Sequence, residues 1–235
     1  MAGEPVDPHG RYIFPRPGDE DPRELAGSRN APRAHVHVAG GWSHLLVLCG
    51  PTKCGKSTYA KQLVARSPRL VVIDPMAEYS VGGVEWGLKR CLERLTVIAE
   101  RRVPRFRLAC RVGPEEAEEV LRFCWEFCSD FENPDPRQQI ELVVDEAHRL
   151  SRPGDKDTPF DWACTMGRRF ATRIIVCTQR LARISRDATS NAAGEKSLVM
   201  WRCDEPSVID DLKKRKGDEA VLRMLALGKH EHLAL

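Results

Sequence analysis

Apolar residues in this chain fall into short continuous runs separated by longer amphipathic stretches. His44–Cys49, Leu70–Asp74, Ile140–Glu146, Arg173–Gln179 and Leu198–Cys203 are rich in Leu, Val and Ile, which predicts strands buried on both faces. Phe106–Val112 alternates instead, and predicts a half-exposed strand. Helical stretches lie between the runs. Thr58–Arg66 sets Ala60, Leu63 and Val64 on one side, and Val84–Leu95, Phe160–Arg169 and Pro206–Lys216 have helical character. Gly113-Pro114 opens a further helix, with Glu115, Glu116, Glu118 and Glu119 near its positive end. Its buried stripe is Ala117, Val120, Leu121, Cys124 and Cys128. Strands alternating with helices imply an α/β fold, a parallel sheet covered on both faces.

Composition refines this picture only at its edges. Residues 1–41 are rich in Pro, Gly and charge, and predict an extended or disordered arm ahead of one domain spanning 42–235. His35 and His37 within the arm fit either a short edge strand or a metal pair. The chain of 235 residues is 42% hydrophobic, enough for a full core, and its net charge of +3 does not by itself imply a polyanionic partner. Nine cysteines form no C-x-x-C pair and no zinc-finger spacing, so they are expected as small buried hydrophobes. Their odd number and the lack of a signal peptide point to a reducing compartment. No run approaches the ~18 apolar residues of a membrane span.

The chemistry begins at Gly50-Pro51-Thr52-Lys53-Cys54-Gly55-Lys56-Ser57-Thr58, which fits G-x-x-x-x-G-K-[ST] between an apolar run and a helix. Backbone N–H groups and the helix dipole would cradle the phosphates of ATP, with Lys56 on the outer ones and Ser57 on Mg²⁺. A bland Gly-rich turn is the alternative. Asp145-Glu146 ends another run and supplies two carboxylates: Asp145 to hold Mg²⁺ through water, Glu146 to polarise the attacking water. P-loop kinases usually lack that second acid, because their nucleophile is a substrate hydroxyl. Gln179 ends the next run. If its strand lies between the loop strand and the Asp-Glu strand, it faces the γ-phosphate; otherwise it is a polar strand end. Arg168 or Arg169 would serve as an arginine inserted into a neighbour's site, or else as a solvated charge or a contact within the same subunit.

Taken together, GPTKCGKST, VVIDPMAEYS, ELVVDEAHRL and GRRFATRIIVCTQR followed by Ser190-Asn191-Ala192 resemble the HerA/FtsK superfamily of DNA-pumping ATPases. Within it, the likeness is nearest to the small packaging ATPases of membrane-containing icosahedral viruses, and it covers residues 42–235. The resemblance implies a P-loop NTPase of the RecA-like (ASCE) type, a three-layer sandwich whose mainly parallel sheet has order 5-1-4-3-2 with helices on both faces. It also implies a hexameric ring, ATP hydrolysis between subunits and double-stranded DNA in the pore. A capsid or membrane vertex protein would be a partner, and the place of work the host cytoplasm or the virion. Asp74 and Glu78 match the family's acidic pair after the second strand, without a physical role that the sequence discloses. Cellular relatives add an N-terminal barrel or a winged helix for which this chain has no room, so recognition of a particular DNA end is expected from elsewhere or is absent. DEAH alone does not make an RNA helicase, whose other motifs are missing.

Sequence-independent DNA contacts should be basic and salt-sensitive. Candidates are Arg101, Arg102, Arg105 and Arg107; Arg180, Arg183 and Arg186; Lys213, Lys214, Arg215 and Lys216; and the loop from Arg149 to Lys156. Solvated faces are the competing account for each. Rival functions are an assembly or secretion ATPase like those of filamentous phages, a P-loop kinase, and a non-catalytic nucleotide switch.

Overall fold

The computed structural model describes residues 44–129, 140–150, 154, 158–167, 172–185 and 197–235, all within one compact unit, Ala39–Leu235. The predicted N-terminal arm, Arg168, Arg169, Arg186, Ser190-Asn191-Ala192, the side chain of Cys128 and most of the loop from Arg149 to Lys156 lie outside them.

In chain order the main elements are β1 (Leu45–Cys49), α1 (Lys56–Leu63), β2 (Arg69–Ile73), β3 (Gly83–Trp86), α2 (Leu88–Glu100), β4 (Phe106–Arg111), α3 (Pro114–Ser129) and β5 (Ile140–Val144). They continue as α4 (Pro159–Met166), β6 (Thr172–Thr178), β7 (Leu198–Trp201), α5 (Pro206–Leu225, broken at Gly217) and β8 (His232–Ala234). The two-residue period of each buried strand divides the core into two layers. Leu45, Val47 and Cys49 join one cluster with Val71, Ile73, Leu142 and Val176, and this face is covered by α2, α3, α4 and α5. Leu46 and Leu48 join the other with Leu70, Val72, Val143 and Ile175, under Ala60 of α1.

The sheet has eight strands in the order β3-β4-β2-β5-β6-β1-β7-β8, parallel except for the β7–β8 pair. This corrects the expected order 5-1-4-3-2. Those five strands correspond to the middle run β7-β1-β6-β5-β2; β4 and β3 extend the sheet beyond β2, and β8 extends it beyond β7.

Three local expectations also change. Val84–Trp86 is a strand rather than the start of a helix. Gly87, at φ 77°, breaks the chain there, and the helical period begins only at Leu88. β4 is not half-exposed, because it lies between β2 and β3 with Leu108, Ala109 and Cys110 all buried. Its apparent alternation comes from two arginines that point to partners. Arg107 donates to the carbonyls of Val64, Ala65 and Ser67, each at 3.0 Å, satisfying groups left over where α1 ends. Arg111 lies 3.7 Å from the buried Asp74 carboxylate. Finally, α4 starts at Pro159, because Thr158 caps it by accepting from the Asp161 N–H.

Since Arg107 closes the end of the helix that follows the glycine-rich loop, Arg107→Leu should lower unfolding stability by about 2–3 kcal/mol. A shifted denaturant midpoint with an unchanged slope is the expected reading.

Candidate functional site

Register decides what meets what at the carboxyl ends of the strands, where open parallel sheets bind ligands. β6 lies between β1 and β5, with Cys49 opposite Thr178 and Val144 opposite Val176. One residue past the first pair, Gly50 and Gln179 leave the sheet side by side, with Asp145 two positions lower in the ladder, level with Cys177, and the Gly50 N–H donates to Thr178 O at 3.2 Å.

The loop from Gly50 to Gly55 turns on two residues of positive φ, Lys53 at 63° and Gly55 at 116°. Gly50 is confined for a different reason. A Cβ there would stand 2.8 Å from Trp201 Cβ and 2.9 Å from Cys54 Sγ, so only glycine fits. Pro51, Thr52, Lys53 and Thr58 are exposed, Gly55 and Ser57 half-buried, and Cys54 and Lys56 buried. The Lys56 ammonium donates at 2.8 Å to both Gly50 O and Pro51 O. The sequence expectation of a strand, a loop and a helix N-terminus in succession holds, with α1 starting at Lys56 rather than Thr58.

Across β6, Asp145 is buried and accepts from the Glu146 N–H at 3.0 Å. Burial pushes its carboxyl up to about 7, and the nearby Glu78, Glu146 and Asp74 add to the rise. Glu146 adopts a left-handed conformation, φ 50° and ψ 38°, uncommon for a residue with a side chain. Its carboxylate accepts from Gln179 Nε2 at 2.8 and 3.1 Å, while Gln179 Oε1 accepts from Thr52 Oγ1 at 3.1 Å. One amide thus ties the glycine-rich loop to the acidic pair. Arg168 and Arg169 lie outside the described residues.

Two neighbours were not singled out from sequence. His148 Nε2 stands 3.4 Å from Glu146 Oε2, and burial lowers its basicity. Tyr79 is fully buried beside α1. The DEAH spelling marked the former; no local pattern marked the latter.

The donors here are hydroxyl and carboxylate oxygens, which suit Mg²⁺. Among the described residues no group of three or more His, Cys, Asp or Glu could hold a metal unaided. The eight described cysteines are buried and unpaired by disulfides, and burial pushes the Cys49 thiol up to about 12. No helix among the described residues is long and apolar enough to cross a membrane.

The basic clusters separate. Arg180 and Arg183 lie close enough to the site to depress His148. Arg101, Arg102 and Arg105 precede β4, at the amino ends of the parallel strands and away from the carboxyl ends that carry the site, and Arg107 is engaged with α1. Lys213 pairs with Asp218 at 2.7 Å and Arg215 with Asp211 at 2.8 Å, while Lys214 and Lys216 are exposed.

The sheet and its glycine-rich loop define the fold of the P-loop nucleoside triphosphatases. A scan against protein-family models and a search of curated proteins gave no match. Solved structures do match: the genome packaging NTPase B204 from Sulfolobus turreted icosahedral virus 2, in complex with ATP-gammaS, has a TM-score of 0.62 at 20% identity over 80% of this chain and 89% of that one. Its complex with sulfate gives 0.63 at 19% identity over 82% and 90%. B204 from Sulfolobus turreted icosahedral virus, described as a DNA-packaging ATPase, gives 0.58 at 18% over 79% and 88%. At these identities the likeness is one of fold, and it agrees with the HerA/FtsK resemblance of the motifs.

Because the folded protein favours protonated Asp145, this group's contribution to stability is present at low pH and is lost as pH rises through about 7. In metal-free buffer, Asp145→Asn should therefore raise the melting temperature relative to wild type most at pH 8, less at pH 5, and not at all below about pH 4, where the carboxyl is protonated in both states.

Proposed function

We propose that this chain is an ATP-hydrolysing translocase of double-stranded DNA, acting as a ring in the packaging of a viral genome. The observation that carries the ATPase reading is the bridge from Thr52 through Gln179 to Glu146. It joins a phosphate-binding loop to a carboxylate suited to act as general base. The packaging reading draws on what the B204 proteins are said to be, combined with the motif set.

The residues take the following parts. Lys56 gives up its bonds to Gly50 O and Pro51 O for phosphate oxygens, and the N–H groups at the start of α1 hold the remainder. Ser57 and Asp145 would hold Mg²⁺, which supplies charge neutralisation for phosphoryl transfer. Glu146 accepts the proton of the attacking water. Gln179 has a single amide group, so its donors cannot serve Glu146 and the γ-phosphate fully at once. An amide drawn toward the phosphate frees Glu146 for water, which couples recognition of the triphosphate to activation of the nucleophile. Arg168 or Arg169 of an adjacent subunit is the proposed source of the transition-state arginine. A ring of six would place DNA against basic surfaces such as Arg180, Arg183, Lys214 and Lys216. A capsid or membrane vertex protein would anchor it, and the work would be done in the host cytoplasm or at the virion.

Glu146→Gln should bind ATP with near wild-type affinity while turnover falls by roughly 10²–10⁴-fold. Nucleotide titration and phosphate release measure the two separately. Duplex DNA should raise wild-type turnover, and the stimulation should fade as salt increases. Turnover indifferent to DNA at low salt would overturn the translocase reading.

A further inference from the structure

The end of the chain carries two histidines that the mechanism above does not use, and both rings meet the glycine-rich loop or its helix. β8 pairs antiparallel with β7, which sets His232 opposite Trp201. The His232 ring packs 4.7 Å from the Tyr59 ring of α1 and 5.4 Å from that of Trp201, and Tyr59 meets Trp201 edge to face at 5.7 Å. Trp201 is the buried back of this cluster, while Tyr59 and His232 are half-buried. The turn before β8 is closed by Glu231. Its carboxylate accepts the Gly228 N–H at 2.7 Å, and its own N–H donates to Gly228 O at 3.2 Å. His230 in that turn is exposed and has φ 67°, a left-handed conformation few side-chain-bearing residues adopt. Its ring is fixed nonetheless, because Nδ1 lies 3.1 Å from Cys54 O of the loop.

Direction and hydrogen-bond polarity together identify what belongs beside these rings. Gln179 and Glu146 stand on the β6 side of the loop-bearing strand β1, and β7 and β8 lie on its other side. The phosphorus under attack must be at the Glu146 end, within reach of the base. A triphosphate held by the loop therefore points its nucleoside toward Tyr59, Trp201 and the His230 turn. Polarity narrows the choice of nucleoside. A carbonyl only accepts, so the His230 hydrogen is on Nδ1, and in the neutral imidazole Nε2 is then an acceptor. An amino group on a base satisfies that atom, whereas a base oxygen in the same place repels it.

We infer that Tyr59, His230 and His232 form the nucleobase subsite of the glycine-rich loop: a purine stacks against this aromatic rim, and His230 Nε2 accepts the exocyclic amine of adenine. Guanine presents an oxygen where adenine presents that amine, and is disfavoured. The inference rests on the proposed reading of the loop as a phosphate site. It gives the left-handed His230 a chemical task, since the turn that holds it there also fixes which ring nitrogen faces the base.

The test measures, by calorimetry in Mg²⁺, the binding of ATP, GTP and inorganic tripolyphosphate to wild type, His230→Asn and Tyr59→Leu. Asparagine tolerates positive φ and keeps an amide N–H for Cys54 O, but it lacks the ring and Nε2. Wild type should bind ATP about tenfold more tightly than GTP, the worth of one well-placed hydrogen bond. His230→Asn should weaken ATP by about three- to tenfold, down to the level of GTP, and leave tripolyphosphate as in wild type. Tyr59→Leu should weaken ATP and GTP alike, by about five- to tenfold, through lost stacking, again without touching tripolyphosphate. Equal affinity of wild type for ATP and GTP would overturn the inference while the phosphate site stands. If tripolyphosphate weakens as much as ATP in His230→Asn, the histidine only braces the loop and the base subsite is wrong. If wild type binds none of the three, the reading of the loop as a phosphate site fails, and the base subsite falls with it.

Discussion

Insertion of one strand, β6, between the loop-bearing strand and the acid-bearing strand is the constraint on which the site depends. Parallel pairing holds β1, β6 and β5 in a register that ends β1 level with β6 and β5 two residues short of them. A glutamine just past the middle end then spans the gap. Its carbonyl accepts from a loop hydroxyl and its amide N–H donates to a carboxylate, so both ends of one short side chain are satisfied. A shift of one position in that ladder would turn Gln179 to the other face and separate loop from acid.

Electrostatics at the same edge are one-sided within reach of the loop. Asp74, Glu78, Asp145 and Glu146 crowd a poorly hydrated region, and Lys56 gives its donors to carbonyls of its own loop. Asp74 is accommodated by two backbone N–H groups and Arg111. Asp145 is not so well provided, accepting one backbone N–H while three acids face it, and its affinity for a proton rises accordingly. Such a carboxyl is better suited to neutralisation by a cation than to bearing charge alone. His148 contacts Glu146, which favours its protonation, while burial first and then the arginines at 149, 183 and 180 oppose it, and the net effect is to lower its basicity.

Much of this was legible in the chain because buried parallel strands and a glycine-rich loop leave strong local signatures. Five apolar runs proved to be the inner strands, and Gly50, Lys56, Ser57, Asp145, Glu146 and Gln179 lie together where those runs end. What stayed hidden depended on contacts between segments far apart in sequence. Arg107 and Arg111 mimicked an exposed alternation because the caps and carboxylate that absorb them belong to other elements. The edge strands were unreadable for a different reason. Trp86 is 59% exposed, so an apolar residue there says nothing about the core, and β8 has only three residues. Nor does any spacing rule connect Asp74 with Tyr79; their link exists only through backbone N–H groups in a turn.

The short antiparallel strand β8 has a mechanical meaning. His230 just before it donates a ring N–H to Cys54 O at 3.1 Å, and His232 packs against Tyr59 and Trp201. Leu235 closes the ladder by donating to Leu198 O at 2.8 Å. Tension applied at residue 235 would thus pass within a few bonds to the backbone that surrounds the phosphates. A surface tether or affinity handle fused there would load the nucleotide loop directly, and single-molecule force work on this protein calls for an attachment point elsewhere.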